Sequence, residues 1–330
     1  MVYSAFGSNR PLVLSFLILP ALIIAFFITA DSQVPIYELS GPAFDLIFNA
    51  LESFMVIRVI LGMALILGNA ILLNRLYNVH DLAASENYFP ALVFVTLAFM
   101  DFQNIDLHPV LFSNLFLLLA LRRLLLVYRA TTVLSIGFDS ATFLAISVLF
   151  FPPSVLVMPL VWVVFGQMRP FALKEWLVPF AAMIMVALYV FAYYYLADLS
   201  FFPFEYFAWD RKWFSSSLSS WSIVLIILVV IIAMLSFLGM GSFVAEIGKS
   251  TLRKKNTKYT FLWLVLLLVL QYLYVSLLQA RDQGVWLILA LPVSVFLGAF
   301  FSKVDRRRKL KVASFYIWLV TSVVFMIFSN

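Results

Sequence analysis

Long apolar runs separated by short polar stretches recur along the whole chain, and at these lengths the pattern predicts helices, not strands. The runs fall near 12–30, 54–73, 88–105, 109–128, 133–151, 153–168, 176–197, 221–243, 259–279, 284–302 and 313–328. A membrane-spanning helix needs about 20 apolar residues, and each run is of that length or somewhat short of it. The expected fold is therefore all-α, a polytopic transmembrane helix bundle of about 11 spans. Pro109, Pro152, Pro153 and Pro159 interrupt the apolar stretch from 109 to 168, where broken or short helices are expected. Such breaks are tolerated at membrane depth when protein or a water-filled cavity satisfies the freed backbone groups. No hydrophilic block is long enough to build a separate soluble core, so residues 1–330 read as one integral membrane domain. The first run follows Arg10, is long for the apolar part of a signal peptide, and is read as the first span.

Loop charges test this partition independently, because Lys and Arg concentrate on the cytoplasmic side of a membrane protein. With the N-terminus inside, 18 of the 22 basic residues fall in the inner segments, whereas Arg211, Lys212 and Arg281 are outer and Arg58 lies within a span. The acidic residues Asp31, Glu38, Asp45, Glu52, Asp101, Asp106, Asp198, Glu205, Asp210 and Asp282 take the outer side. The alternation places the N-terminus in the cytoplasm and the C-terminus outside, in a multi-pass protein of the bacterial inner membrane. A chain that is 65% hydrophobic and 12% charged lies far outside soluble composition. Its net charge of +6 follows from the cytoplasmic loops and calls for the bilayer as partner, with no nucleic acid. The basic runs Lys249–Lys258 and Lys303–Lys311 also suit anionic lipid.

The absence of cysteine excludes disulfides, thiolate metal sites and a cysteine nucleophile, and His80 and His108 are the only imidazoles. No Walker A loop, dinucleotide-binding glycine pattern, HExxH or Gly-x-Ser-x-Gly occurs, so energy would come from an activated substrate, an ion gradient or another subunit. The stretch Met100-Asp101-Phe102-Gln103-Asn104-Ile105-Asp106-Leu107-His108-Pro109 puts two carboxylates, two amides and an imidazole into ten residues between two apolar segments. Asp101, Asp106 and His108 share no helical or strand face, but a loop can gather them, and Asp with His makes a general-base or metal pair. The plainer reading is a polar turn with Pro109 opening the next helix. In the first outer loop, Asp31 and Glu38 are candidate catalytic carboxylates that would deprotonate a substrate or hold a divalent metal, the one cofactor suggested. Ala43–Leu51 in the same loop reads as an amphipathic helix.

Arg58, one turn inside its helix, is expected either to reach the headgroups or to face Asp31, Asp101 or a bound phosphate. Asn69, Asn74 and Arg75 are candidate substrate contacts on the same helix, and Asn78, His80, Asp81 and Ser85 follow at its inner end as a ligand site or a capped turn. Asp139 is expected near the start of a short helix, where an acid favours the dipole. The aromatic loop 198–220 reads as an interfacial belt or, less simply, as a sugar-stacking surface.

Asn74-Arg75-Leu76-Tyr77-Asn78-Val79-His80-Asp81-Leu82, Gly137-Phe138-Asp139-Ser140, Phe151-Pro152-Pro153 and Arg169-Pro170-Phe171 with Lys174-Glu175-Trp176 resemble an uncharacterised family of polytopic inner-membrane proteins from Bacteroidota. Two histidines cannot build the four-histidine iron site of carotene oxygenases. In architecture the chain is similar to the C-type glycosyltransferases that use polyprenyl-phosphate sugars. That resemblance implies a catalytic carboxylate at Asp31 or Glu38, a second acidic cluster at Asp101 and Asp106, and a phosphate contact at Arg58. The chain departs from it in having no paired acids in the first loop and no large outer C-terminal domain. The expected function is a step in a lipid-linked glycan or cell-envelope pathway, glycosyltransferase-like, with a lipid phosphate as substrate. The alternatives are a non-catalytic scaffold for other membrane subunits and a transporter or lipid flippase.

Overall fold

The computed structural model describes residues 2–7, 37, 39–82, 86–99, 106–130, 132–198, 223–277, 285–302 and 308–328. The expected helix over 12–30, the residues Asp31, Glu38, Ser85 and Asp101, and the aromatic loop after Asp198 lie outside them. The described chain is all-α. After a one-turn helix at Val2–Phe6 come α1 (Pro42–Leu51), α2 (Met55–Val79), α3 (Phe89–Ala98), α4 (Pro109–Leu124), α5 (Leu134–Phe150) and α6 (Leu160–Met168). They are followed by α7 (Leu173–Leu196), α8 (Ile223–Ala245), α9 (Leu252–Leu277), α10 (Leu287–Ser302) and α11 (Arg308–Phe328). Among the described residues three helices are long and apolar enough to cross a membrane, over Met55–Val79, Leu173–Leu196 and Leu252–Ser276, and several shorter apolar helices accompany them.

Helix ends follow local chemistry. Pro109 occupies the first turn of α4, and the His108 imidazole caps it, with Nδ1 accepting the Val110 N–H at 3.1 Å. The Asn87 side chain accepts the Phe89 N–H at the start of α3. Pro152 and Pro153 stop α5 at Phe150 and open a 3₁₀ segment, Pro152–Val157, which joins α6. Polar residues extend some helices past the apolar runs that announce them. Asn74, Arg75 and Asn78 belong to α2, and Arg253, Lys254, Lys255 and Lys258 belong to the first two turns of α9, where the charge pattern suggests a loop. Lys and Arg are good helix formers, so the helix continues beyond the hydrocarbon stretch.

The helices pack in a row, α7 on α5, α5 on α4, α4 on α2, α2 on α3, α3 on α10, α10 on α8 and α8 on α11. α9 fills the side of this row against α10, α6 and the 3₁₀ segment, and α4 also reaches α10. Small residues allow the closest approaches. A Cβ on Gly239 of α8 would stand 2.2 Å from the Phe296 carbonyl oxygen of α10, and one on Gly298 of α10 would stand 2.6 Å from the Pro90 ring of α3. Buried polar groups bridge the rest. Asn69 of α2 donates to the Leu65 and Leu111 carbonyls at 2.9 Å each, and Asn114 of α4 donates to the Leu287 carbonyl. Ser113, Ser147 and Ser154 join hydroxyls at 2.7 and 2.6 Å, and Gln271 of α9 donates to Ser154.

Candidate functional site

The bundle has two chemically distinct ends. Arg58 and Asp106 form an ion pair at the Met55 end of α2. There also the Tyr37 ring meets His108 edge-on at 5.0 Å, and the Gly41 N–H donates to the Phe150 carbonyl. At the His80 end, Lys254 pairs with Asp81 at 3.0 Å, the Arg169 guanidinium donates to the Ala130 carbonyl, and Tyr128, His80 and Arg253 line one cavity. Among the described residues, the loops around His80, Ala130, Arg169 and Lys254 meet at one end of the bundle, and Tyr37, Arg58, Asp106 and Phe150 meet at the other.

Arg58 is the fourth residue of α2, about 4.5 Å along the axis from its first residue. Its side chain is 2% exposed and that of Asp106 is 8% exposed, with Nη2 and Oδ2 3.1 Å apart. The distance is that of an ion pair, but the alignment is not that of a hydrogen bond, since Asp106 Oδ2 accepts from no donor. Arg58 Nε and Nη1 are buried and donate to no acceptor. The guanidinium lies 5.0 Å from the centre of the Phe48 ring, which supplies a cation–π contact from α1. Asp106 Oδ1 is engaged separately, accepting the Leu107 N–H at 2.7 Å. Burial pushes the Asp106 carboxyl above the usual carboxylate range, and the Leu107 N–H and the Arg58 charge offset that rise only in part.

An aromatic shell closes the site. Phe44 and Phe48 of α1 stack at 5.5 Å, the Tyr37 ring abuts both edge-on, and Phe112 and Phe150 stack at 4.5 Å beneath. α1 is thus the amphipathic helix expected over 43–51. Its Phe44 is fully buried, and the helix packs on α5 and α2.

Asp31 and Asp101, both anticipated as partners of Arg58, lie outside the described residues, and the described partner is Asp106, from the same polar stretch as Asp101. Arg58 and Asp106 are nearly fifty residues apart in sequence, and only the packing of α4 on α2 brings them together. His108 sits beside this pair with Nδ1 committed to capping α4. Asn69 shares a helical face with Arg58, eleven residues on, but its amide ties α2 to α4. Asn74 is buried with Oδ1 lacking a donor, and Arg75 is exposed at the His80 end. Asp139 is the sixth residue of α5, past the dipole-sensitive first turn, and pairs with Arg123 at 3.2 Å instead of capping. Among the described residues no group of three His, Asp or Glu side chains is placed to hold a metal ion.

A second polar centre forms at the His80 end, where the sequence offers a ligand site or a capped turn; the contribution of Lys258 and Glu246 to it was not anticipated. Asn78 and Asn87 clasp the α2–α3 turn reciprocally, Asn78 Nδ2 donating to the Asn87 carbonyl and Asn78 Oδ1 accepting the Asn87 N–H. Asp81 adopts a left-handed backbone with φ 52°. Lys258, 3% exposed, pairs with Glu246 at 3.0 Å and lies over the Phe243 ring.

The fold and its polar ends define a multi-pass helical membrane protein with a buried charge pair at one end. The family model for DUF6427, a family of unknown function, matches residues 32–330, and the chain belongs to that family. No curated protein and no solved structure matches it.

Proposed function

We propose that the protein engages the phosphate of a lipid-linked substrate at the Met55 end of the bundle, in a cell-envelope pathway of the bacterial inner membrane. Arg58 holds the phosphate there, and Asp106 exchanges a proton with the acceptor in a transfer of glycosyltransferase type. The observation that carries this reading is the unused capacity of Arg58. An ion pair kept for packing alone would be bidentate and satisfied, whereas this one leaves two guanidinium nitrogens, Nε and Nη1, and one carboxylate oxygen without hydrogen bonds. Ionisable groups at membrane depth mark functional sites more often than struts. The raised carboxyl of Asp106 suits a group that exchanges a proton. In the same reading the Met55 end is the outer one, the N-terminus is cytoplasmic, the C-terminus is outer, and about 11 segments cross or enter the bilayer. Asp31, Glu38 and Asp101 would complete the acidic side of the site, with or without a divalent metal.

The test is chromosomal replacement of Asp106 by Asn in the host, followed by mass spectrometry of lipid-linked intermediates and mature envelope glycans. Accumulation of a lipid-linked precursor supports the reading, and an unchanged profile in cells that hold normal amounts of the protein removes it. A second reading is favoured by α7, whose apolar window is only 17% buried. Leu177, Ile184, Leu188, Tyr189 and Tyr195 all face outward along it, a surface on which another membrane subunit could assemble. In that case a stoichiometric partner co-purifies with the chain and is lost when Ile184 and Leu188 are replaced by Trp.

A further inference from the structure

The His80 end contains a cavity of about 350 Å³ lined by Val79, His80, Asp81, Tyr128, Thr251, Leu252, Arg253 and Lys254. Three elements build it: the end of α2, the turn after α4, and the start of α9. Two cations, Arg253 and Lys254, stand on its wall, and one of them is already matched by Asp81 at 3.0 Å, so the wall carries net positive charge. The first turn of α9 contributes backbone N–H groups that no carbonyl of the helix can accept. His80 adds a further polar residue to the lining; it is 8% exposed, and its Nδ1 is buried without a hydrogen-bond partner. Burial, and then the Arg253 charge, hold this imidazole below the usual histidine range against the pull of Asp81, so it is neutral at pH 7 and has one N–H to offer an oxygen. The apolar rim of the cavity is exposed, with Val79 at 59% and Leu252 at 66%. A rim of this kind suits an acyl chain, while the polar wall suits the charged group it carries.

We infer that this cavity is a binding site for a phosphate-bearing anion, held by Arg253, Lys254, His80 and the first turn of α9. The volume accommodates a phosphodiester or phosphomonoester headgroup with part of its glycerol. The chemistry is shared by a membrane lipid and by a free phosphorylated solute, and the exposed apolar rim favours the lipid. This site lies at the end of the bundle opposite Arg58 and does not depend on the function proposed for that pair.

The test uses the full chain purified in a neutral detergent. Native mass spectrometry and thermal-shift measurements are made with phosphatidylglycerol, phosphatidylcholine and inorganic phosphate as separate probes. Phosphatidylglycerol is expected to remain bound and to raise the melting temperature, and Arg253→Gln is expected to weaken it about fivefold, with a similar further loss for Lys254→Gln. Arg253→Glu should abolish retention. Arg122→Gln, which removes an exposed cation outside the cavity, should leave retention unchanged and serves as the control for non-specific charge. Since Lys254→Gln also breaks the pair with Asp81, Arg253→Gln carries the test if that variant unfolds. Binding of inorganic phosphate with the same Arg253 dependence would support the site with a soluble ligand as its occupant. Equal retention by the Arg253→Glu variant, equal losses with Arg122→Gln, or no binding of any anionic probe would overturn the inference.

Discussion

Replacing Arg58 and Asp106 together separates a structural role for the pair from a functional one. Both side chains are nearly inaccessible, at 2% and 8% exposure, so no solvent screening softens the charges. Asp106→Asn keeps an acceptor for the Leu107 N–H but leaves a buried guanidinium with no counter-charge, and the expected cost is about 3–5 kcal/mol. Arg58→Met leaves the carboxylate unpaired at a similar cost at pH 7. Because the folded state already favours the protonated acid, that cost should shrink as the pH falls, while the cost of Asp106→Asn should not, since guanidinium cannot shed its proton. The double variant Arg58→Met/Asp106→Asn removes both charges and keeps the Leu107 contact. The existing pair gains only a Coulombic contact without hydrogen bonds, so the double variant should lie within about 1 kcal/mol of the wild type. Unfolding in mixed detergent–SDS micelles, followed by far-ultraviolet circular dichroism at pH 5 and pH 7, measures all four proteins. A double variant less stable than either single one would refute this reasoning and make the pair a strut.

Gly239→Ala should destabilise the bundle by about 1–3 kcal/mol, because its Cβ would meet backbone at 2.2 Å, whereas Gly241→Ala two residues on meets nothing within 4 Å and should be neutral or slightly stabilising. Thermal melts of the two variants decide between crowding and helix propensity. Asn69→Leu should cost about 1–2 kcal/mol through the lost bridge to the Leu111 carbonyl, with no change in lipid-phosphate retention. His80 has a lowered folded pKa, so its contribution to stability is present above its ordinary value of 6.5 and is lost as pH falls through the folded value. A His80→Gln variant should therefore show a flatter acid limb in a melt-versus-pH series, and an unchanged limb would contradict the burial argument.

Much of the fold was legible because a bilayer leaves the sequence few choices. Every apolar run that falls on described residues contains a helix, and the short amphipathic helix over 43–51 is there as α1. Pro109 at the head of α4 and Pro152 at the end of α5 could be read directly, because a missing N–H acts locally. The charge alternation also anticipated which loops meet, since Arg169 reaches Ala130 and Lys254 reaches Asp81 across separate loops. Helix ends were less legible where polar residues continue a helix past the hydrocarbon stretch, as Asn74 to Val79 do in α2. The choice of Asp106 as the partner of Arg58 was not legible, because it depends on how α4 docks on α2, and no periodicity encodes a contact between helices. Asp139 was misread for the same reason. Its position suggests a dipole effect, but Arg123 on the neighbouring helix decides its place. The Ser113, Ser147 and Ser154 cluster was invisible in sequence, since serines in apolar helices announce no partner.

The most direct test of the Arg58 site is native mass spectrometry of the purified full chain with a polyprenyl phosphate as the probe, comparing wild type with Arg58→Met/Asp106→Asn. The wild type is expected to retain one molecule, to retain none of the corresponding polyprenol, and to lose the phosphate form in the double variant while Arg253→Glu leaves it in place. Equal retention by the wild type and the double variant would contradict the assignment of Arg58 and Asp106 to a lipid phosphate.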